Sequence, residues 1–435
     1  MPKADTSSIV RLMDVAVIGA GYVGLATAVG LATLGHSVKV GESDQRRVDT
    51  LRKGESPIYE PELTQFLQAA VDDGRLTVFS SNVEAVRDTD VVFLALPTPQ
   101  GEDGAADTSI VYAVLDEIVG ALAPGAIVVL KSTVPVGTVA RIQEVLRDQG
   151  SDAVAISNPE FLREGSAISD FLHPDRVVIG TTDQRAAETM IELYRGLQAP
   201  LVVTDPVSSE MVKYSANAFL ATRITFANAI ANLCEAVGAD VKDVLLGMGY
   251  DSRIGFHFFN PGPGFGGSCF PKDTNALVAV AEEAGYDFAL LKSVIRINDI
   301  QRDRVVDHVR RGAGGSLAGK TVALWGLAFK AGTDDTRSSP AIAIAERLLE
   351  EDCLIRAHDP QAHVTRDGLE QVDTPIAAAQ GADVLLIATE WSEYRTVDLH
   401  EVARAMRGSA IVDGRNLLDP VAVRRLGLSY QGIGR

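Results

Sequence analysis

In the stretch GPGFGGSCFPKDT, Gly262 to Thr274, one cysteine stands in a glycine-rich run with Lys272 and Asp273 behind it. The thiolate is the reactive form of cysteine, and an unperturbed thiol with a pKa of ~8.5 is mostly protonated at neutral pH. Cys269 lies just ahead of an expected helix, TNALVAVAEEAG, whose N-terminal dipole favours the thiolate, as does nearby Lys272. The glycines leave room for a bulky substrate to come close. Such a constellation suits a nucleophile, although a small apolar residue in a loop has the same local look. Cys234 and Cys353 fit a helix interior and a strand start, where a structural thiol is the ordinary reading.

Two more groups carry possible chemistry. Lys213 and Asn217, in EMVKYSANAFL, are four residues apart and share one helix face. An ammonium and an amide so placed could stabilise a developing alkoxide, or simply form a solvated face. In NPEFLREGSAISDF, Glu160 and Glu164 flank a turn opened by proline; Glu160 suits a general base or a water holder, and equally a helix cap.

These side chains need a scaffold, and the sequence spells one. DVAVIGAGYVGLATAVGLATLGHSVKVGESD reads as strand, glycine turn, helix and strand, with Gly19, Gly21 and Gly24 in the G-x-G-x-x-G pattern. The first glycine permits the turn, the second lets backbone amides reach a pyrophosphate, and the third lets helix and strand pack closely. Glu42, ending the second strand, is placed to hold ribose hydroxyls and repel a 2′-phosphate, favouring NAD over NADP; Arg47 one helical turn beyond tempers that preference. Strands and helices alternate to about residue 205, helices dominate from about Ser208 to Asn298, and alternation resumes after RRGAGGSLAGK. The fold class is therefore α/β: two Rossmann-like doubly wound domains joined by a central helical segment. SSEMVKYSANAFLATRITFANAIANLCEAVGA reads as a long bridging helix with a serine N-cap and a stop near Gly238. Lys330, Arg337 and Arg415 fall on loops after strands of the last domain, the ligand edge of such sheets.

Composition narrows the function. A length of 435 residues implies two or three domains, and 46% hydrophobic with 23% charged residues is ordinary globular composition. The formal net charge of −18 argues against nucleic acid as a partner, and any anionic ligand needs locally gathered Lys and Arg. Three cysteines make no disulfide framework and have no metal-ligand spacing, and His358 and His363 read as a surface loop; no metal is expected. No apolar run approaches the roughly 18 residues of a membrane span. MPKADTSSIVRL is a poor secretory signal, so the residues before Met13 read as disordered and the protein as cytoplasmic.

Together, VIGAGYVGL, SPIYEPEL, LPTP, KSTVPVGT, NPEFLREGSAISDFLHPDRVVIG, VKYSANAFLATRITFANAIA, RIGFHFFNPGPGFGGSCFPKD, GLAFKAGTDDTRSSP and DGRNLLD resemble the UDP-glucose/GDP-mannose dehydrogenase family across nearly the whole chain. The resemblance implies an alcohol oxidised to an acid in one site by two hydride transfers to two NAD⁺, through a cysteine thiohemiacetal and thioester. It implies three domains: 13–205 for NAD, a central 206–310 carrying the Cys269 loop and the dimer contact, and 315–435 for the UDP-sugar. Matched position by position, Cys269 is the nucleophile. Lys213 and Asn217 stabilise oxyanions, Lys213 also serving as base for the first oxidation, and Asp273, Thr133 and Glu160 position water. Gly19, Gly21, Tyr22, Val23, Gly24, Glu42, Arg47, Thr98, Thr133, Glu164 and Arg337 go to the NAD side. Phe161, Leu162, Arg163, Lys213, Asn217, Phe258, Phe259, Gly262, Gly266, Lys330 and Arg415 go to the sugar nucleotide, with Arg253 supplied across a homodimer interface. The family usually has Asp where this chain has Glu42, which keeps the charge and changes the reach. The motifs are nearer the UDP-glucose branch; oxidation of GDP-mannose is the alternative, and a non-catalytic sugar-nucleotide sensor a more distant one.

Overall fold

The computed structural model describes residues 11–101 and 104–435; the disorder expected before Met13 falls mainly on residues 1–10, outside the described part. The chain separates into two compact units that meet between Ser215 and Ala216.

In the first unit, strands β1 (Asp14–Ile18), β2 (Ser37–Gly41), β3 (Leu76–Phe79), β4 (Val91–Leu94), β5 (Ile127–Leu130), β6 (Val154–Ser157), β7 (Val177–Gly180) and β8 (Leu201–Thr204) form one sheet. Their order is β3-β2-β1-β4-β5-β6-β7-β8. The central strands VVFL and IVVL are buried on both faces because helices cover both sides, which is why they read as unbroken apolar runs. Strand order reverses between β1 and β4, and the glycine turn emerges at that switch point.

The pattern predicts a parallel sheet, and one junction departs from it. β6 and β7 are antiparallel and meet only at Ser157 and Gly180. β7 therefore runs beside the residues that follow β6, and Asn158 donates from Nδ2 to the Val178 carbonyl at 2.7 Å. Alternation of helix and strand does not reveal direction where the connecting helix, Ala167–Leu172, is too short for a full crossover.

The second unit carries most of helix Pro206–Val237, then helices Val241–Gly249, Phe270–Glu283 and Ala289–Gly312, and a second sheet. That sheet has β9 (Thr321–Trp325), β10 (Leu354–His358), β11 (Leu369–Gln371), β12 (Val384–Ile387), β13 (Ala410–Asp413) and β14 (Ser429–Gly432). It is parallel throughout, in the order β11-β10-β9-β12-β13-β14. Its core joins the sheet to Ala227, Ala231 and Val241 from the helices and to Phe259. The expected α/β architecture with two Rossmann-like sheets and a long helix is present.

The long helix begins two residues before the expected serine cap. Asp205 accepts the Ser208 amide at 2.9 Å, Pro206 takes the first helical position, and Ser208 and Ser209 lie inside the first turn. It ends at Val237, ahead of Gly238 at φ +76°. The surface-loop reading of the histidine pair also fails in half: His358 is a buried residue of β10 whose Nδ1 lies 3.2 Å from the Tyr394 hydroxyl, whereas His363 is exposed. Among the described residues no helix is long and apolar enough to cross a membrane.

Candidate active site

At the head of the first sheet Gly19 has φ +96°, and a Cβ there would stand 2.6 Å from the Ala95 carbonyl oxygen. A Cβ on Gly24 would come within 1.8 Å of the Gly19 oxygen, so the turn and the helix Tyr22–Thr33 close on each other only without side chains. Gly21, by contrast, faces open space, with nothing within 4 Å of its would-be Cβ. Buried Glu42 braces the turn: Oε2 accepts the Ala20 amide at 3.3 Å and Oε1 the Asp44 amide at 2.9 Å. Arg47 lies 3.8 Å from the same carboxylate. A constrained turn, an open approach at its middle glycine and a fixed acidic residue at the end of β2 fit a dinucleotide. The loops after β4 and β5 are joined alongside, the Thr98 hydroxyl donating to the Thr133 carbonyl at 2.9 Å.

The second cluster of the first unit lies past β6. Lys213 and Glu160, each about 5% exposed in the side chain, pair at 2.7 Å. Glu160 Oε2 also accepts the Leu162 amide at 2.6 Å. Burial pushes the Glu160 carboxyl up, but Lys213, that amide and Lys131 outweigh it and hold the group below the usual carboxylate range. This settles two readings left open by the sequence: Glu160 caps no helix, and Lys213 is not on a solvated face. Phe161 is pinned by the Arg176 guanidinium 3.5 Å from its ring centre, with Lys213 at 5.5 Å. Arg163 is gripped by Asp170 through Nε at 3.0 Å and Nη2 at 2.6 Å, while Glu164 acts through its charge on Tyr22.

Lys131 was invisible to pattern reading, although a lysine closing the apolar run IVVLK is itself a signal. It is 6% exposed, and its ammonium donates to Asn158 Oδ1 at 3.0 Å, where the Tyr194 hydroxyl also donates at 2.6 Å. Burial pulls its pKa down to about 8, against the attraction of Glu160 and with the repulsion of Lys213. Between about 8 and the ordinary 10.5 the unfolded chain binds a proton that the folded chain lacks, so this group's contribution to stability rises with pH across that window. Replacing Lys131 with methionine removes that rise. Thermal unfolding of both proteins at pH 7.5 and pH 10 is expected to show the wild type gaining on the variant by roughly 3 °C or more.

In the second unit, Cys269 is the N-cap residue of helix Phe270–Glu283, which starts four residues before the expected TNALVAVAEEAG. Pro271 near the head of the helix accounts for the early start, and it brings Lys272 and Asp273 into the first turn. Asp273 is 1% exposed; it accepts from Asn217 Nδ2 at 2.6 Å and from Lys272 Nζ at 2.8 Å. Asn217 is buried too, so neither member of the Lys213/Asn217 pair is solvated. Partly buried Cys269 has the Ser268 hydroxyl 3.6 Å from its sulfur.

Two glycines of the run are required by packing within the protein. A Cβ on Gly266 would lie 2.3 Å from the Ser338 carbonyl oxygen, and one on Gly267 would lie 2.8 Å from the Phe329 ring. The glycines let the thiol loop pack against the segment after β9. Three amide side chains missed in the sequence tie it down: Asn228 takes the Gly262 amide at 2.7 Å, Gln301 donates to the Gly262 carbonyl at 3.0 Å, and Asn298 takes the Phe265 amide at 2.7 Å. Phe258 is half-buried at φ +57°, whereas Phe259 turns into the core and stacks on Phe226. The Arg415 guanidinium bonds to the Phe329 carbonyl at 3.0 Å, next to Lys330 and on the same sheet edge as Arg337, which Asp335 holds. The shared edge expected for those three is real. Arg253 is largely exposed and paired with Asp251.

Among the described residues no group of three His, Cys, Asp or Glu is arranged to hold a metal ion. A glycine turn at a switch point and a fixed acid after β2, beside a helix-head cysteine and a second parallel sheet, fit a dinucleotide-dependent dehydrogenase. The models of the UDP-glucose/GDP-mannose dehydrogenase family match consecutively: its NAD binding domain at residues 13–198, its central domain at 207–300 and its UDP binding domain at 323–420. The chain belongs to the UDP-glucose/GDP-mannose dehydrogenase family, with NAD as its cofactor. It is 46% identical to a UDP-glucose 6-dehydrogenase of Pseudomonas aeruginosa, over 97% of this chain and 98% of that one. A UDP-glucose 6-dehydrogenase of Bacillus subtilis is 44% identical over the same shares. The solved UDP-glucose dehydrogenase of Pyrobaculum islandicum superposes with a TM-score of 0.90 at 38% identity, covering 100% of this chain and 99% of that one.

Proposed function

We propose that this dehydrogenase oxidises UDP-glucose to UDP-glucuronate, consuming two NAD⁺ and one water. The observation that supports the mechanism best is the buried contact of Asn217 with Asp273, four residues after Cys269; within the first unit Lys213 is paired with Glu160. Gly19, Gly21, Tyr22, Val23, Gly24 and Glu42, with Arg47, Thr98, Thr133, Glu164 and Arg337, hold the cofactor, which when bound accepts a hydride in each oxidation. Lys213, entering this step as the neutral amine, takes the proton from the C6 hydroxyl as C6 loses its first hydride, and becomes the ammonium that pairs with Glu160. The Cys269 thiolate then bonds to the aldehyde carbon, and Lys213 and Asn217 stabilise the resulting oxyanion. Loss of a second hydride from C6 leaves a thioester. Glu160, held ionised by Lys213, takes a proton from water with Thr133 and Asp273 orienting it; the water oxygen displaces the thiol and the acid leaves. Phe161, Leu162, Arg163, Gly262, Gly266, Phe258, Lys330 and Arg415 surround the sugar nucleotide, and Phe259 supports them from the core. Segments 13–205, 206–310 and 315–435 act as the NAD, central and UDP-sugar domains of a cytoplasmic enzyme.

Incubation with limiting UDP-glucose and excess NAD⁺ is expected to give two NADH per sugar nucleotide. Reduction of NAD⁺ with GDP-mannose and none with UDP-glucose would overturn the substrate and keep the chemistry; none with either would favour a sensor.

The working form is a homodimer, with Arg253 reaching the partner's site. Phe219, Phe226 and Leu233 recur every seven residues along the long helix and are 61%, 47% and 57% exposed. An apolar stripe of this kind suits a second copy of the same helix. Phe219→Glu is expected to yield monomers by light scattering, with activity reduced at least tenfold at low protein concentration; an active monomer would refute the claim.

A further inference from the structure

Glu60, in the segment SPIYEPEL, belongs to none of the groups above, yet it is 6% exposed and fully engaged. Its Oε2 accepts the Tyr22 hydroxyl at 2.6 Å and the Gly165 amide at 2.7 Å, and its Oε1 accepts the Ala167 amide at 2.7 Å. Tyr22 opens the helix behind the glycine turn. Gly165, at φ +83°, and Ala167 close the turn that carries Phe161, Leu162 and Arg163. The Tyr22 hydroxyl also lies 2.9 Å from the Arg163 carbonyl oxygen, so its single proton is shared between the two segments. One buried carboxylate thus joins the cofactor turn to the 161–167 segment.

We propose that Glu60 is a positioning residue that makes the dinucleotide turn and the sugar-nucleotide segment a single rigid piece. The claim rests on the functional reading above, in which the first holds NAD and the second holds the substrate. The chemistry requires a carboxylate: it accepts along both oxygens, whereas a glutamine amide offers one acceptor oxygen and turns an NH₂ toward backbone donors. A buried N–H facing an NH₂ loses its partner, and the turn relaxes. Because Glu60 contacts both segments, its loss has to be felt at both binding sites at once.

The test is steady-state kinetics of the full chain with UDP-glucose and NAD⁺, comparing wild type, Glu60→Gln, Tyr22→Phe and the double variant. Glu60→Gln is expected to raise both KM values about tenfold while kcat falls less than about threefold, the size expected for losing a charge-assisted hydrogen bond. Tyr22→Phe is expected to raise both about threefold, and the double variant to fall short of the product of the two, because both changes break the Tyr22–Glu60 contact. Unchanged KM values, a fall in kcat alone (the mark of lost folded protein), or effects that multiply in the double variant would each overturn the proposal. If Glu60→Gln does not fold, the joint rise in Tyr22→Phe decides. A wild type that fails on UDP-glucose sinks the functional reading instead. NADH titration followed by fluorescence then decides the joint, tenfold weakening in Glu60→Gln supporting it and unchanged binding refuting it.

Discussion

Cys269→Ala is expected to abolish formation of the acid, lowering the rate of the full four-electron oxidation by at least about 10³-fold. Cys269 heads a helix whose first turn also carries Lys272 and Asp273, and its loop is held by Asn228, Asn298 and Gln301. None of these supports depends on the sulfur, so the alanine variant is expected to unfold at the wild-type temperature. The check is NADH yield per UDP-glucose together with thermal unfolding. Two NADH from the wild type and no UDP-glucuronate from the variant establish a covalent route. A variant that still forms the acid would show that the aldehyde is hydrated and oxidised without capture, and the thioester step would have to go.

Lys213→Ala is expected to strike both stability and rate. Its ammonium is the partner of a carboxylate that is itself almost wholly buried. Removing one member of such a pair leaves a desolvated charge and costs about 3–5 kcal/mol. The rate is expected to fall roughly 10²–10³-fold, the usual consequence of losing a preorganised donor to a developing oxyanion. Glu160 adds a pH signature. Its carboxyl is held below its ordinary value, so its stabilisation is present above that value and is lost as pH falls through the folded one. Without Lys213 the largest opposing influence is gone and the loss begins at higher pH. Adding Glu160→Gln to Lys213→Ala is expected to restore most of the stability and none of the activity. Acid titrations of thermal unfolding on the four proteins check this; independent, additive losses would mean that the two side chains do not work as a pair.

What the sequence disclosed followed the range of each interaction. The glycine turn and Glu42 were legible because a strand, a tight turn and a helix are local events whose residues are fixed by backbone sterics. The Cys269 loop was legible as a place, but the packing that requires Gly266 and Gly267 was not, because the segment they approach lies far along the chain at Ser338 and Phe329. Glu160 offered a base, a water holder or a cap until Lys213, distant in the chain, appeared 2.7 Å away. Glu60 stood within the SPIYEPEL motif with no sign of its role, since its three donors come from positions 22, 165 and 167. Phe258 and Phe259 are consecutive aromatics that no pattern could separate into a loop residue and a core residue; the left-handed backbone at Phe258 does so. The antiparallel junction at β7 was hidden for a related reason, strand direction being set by the length of the return path and not by strand composition.

The three cysteine thiols of the chain differ in exposure, and this has a consequence for oxidative damage. Cys234 and Cys353 are each 4% exposed, and burial pushes the Cys353 thiol up to about 11, so neither is readily attacked by peroxide. Cys269 alone is partly open. Among the thiols, oxidants arriving from solvent therefore meet Cys269 first, where a sulfenic acid is reversible by thiol reductants and a sulfinic acid is not. On the proposed mechanism, oxidation of that one thiol would remove activity without removing the fold, and an inactive population would still look native to a probe of structure.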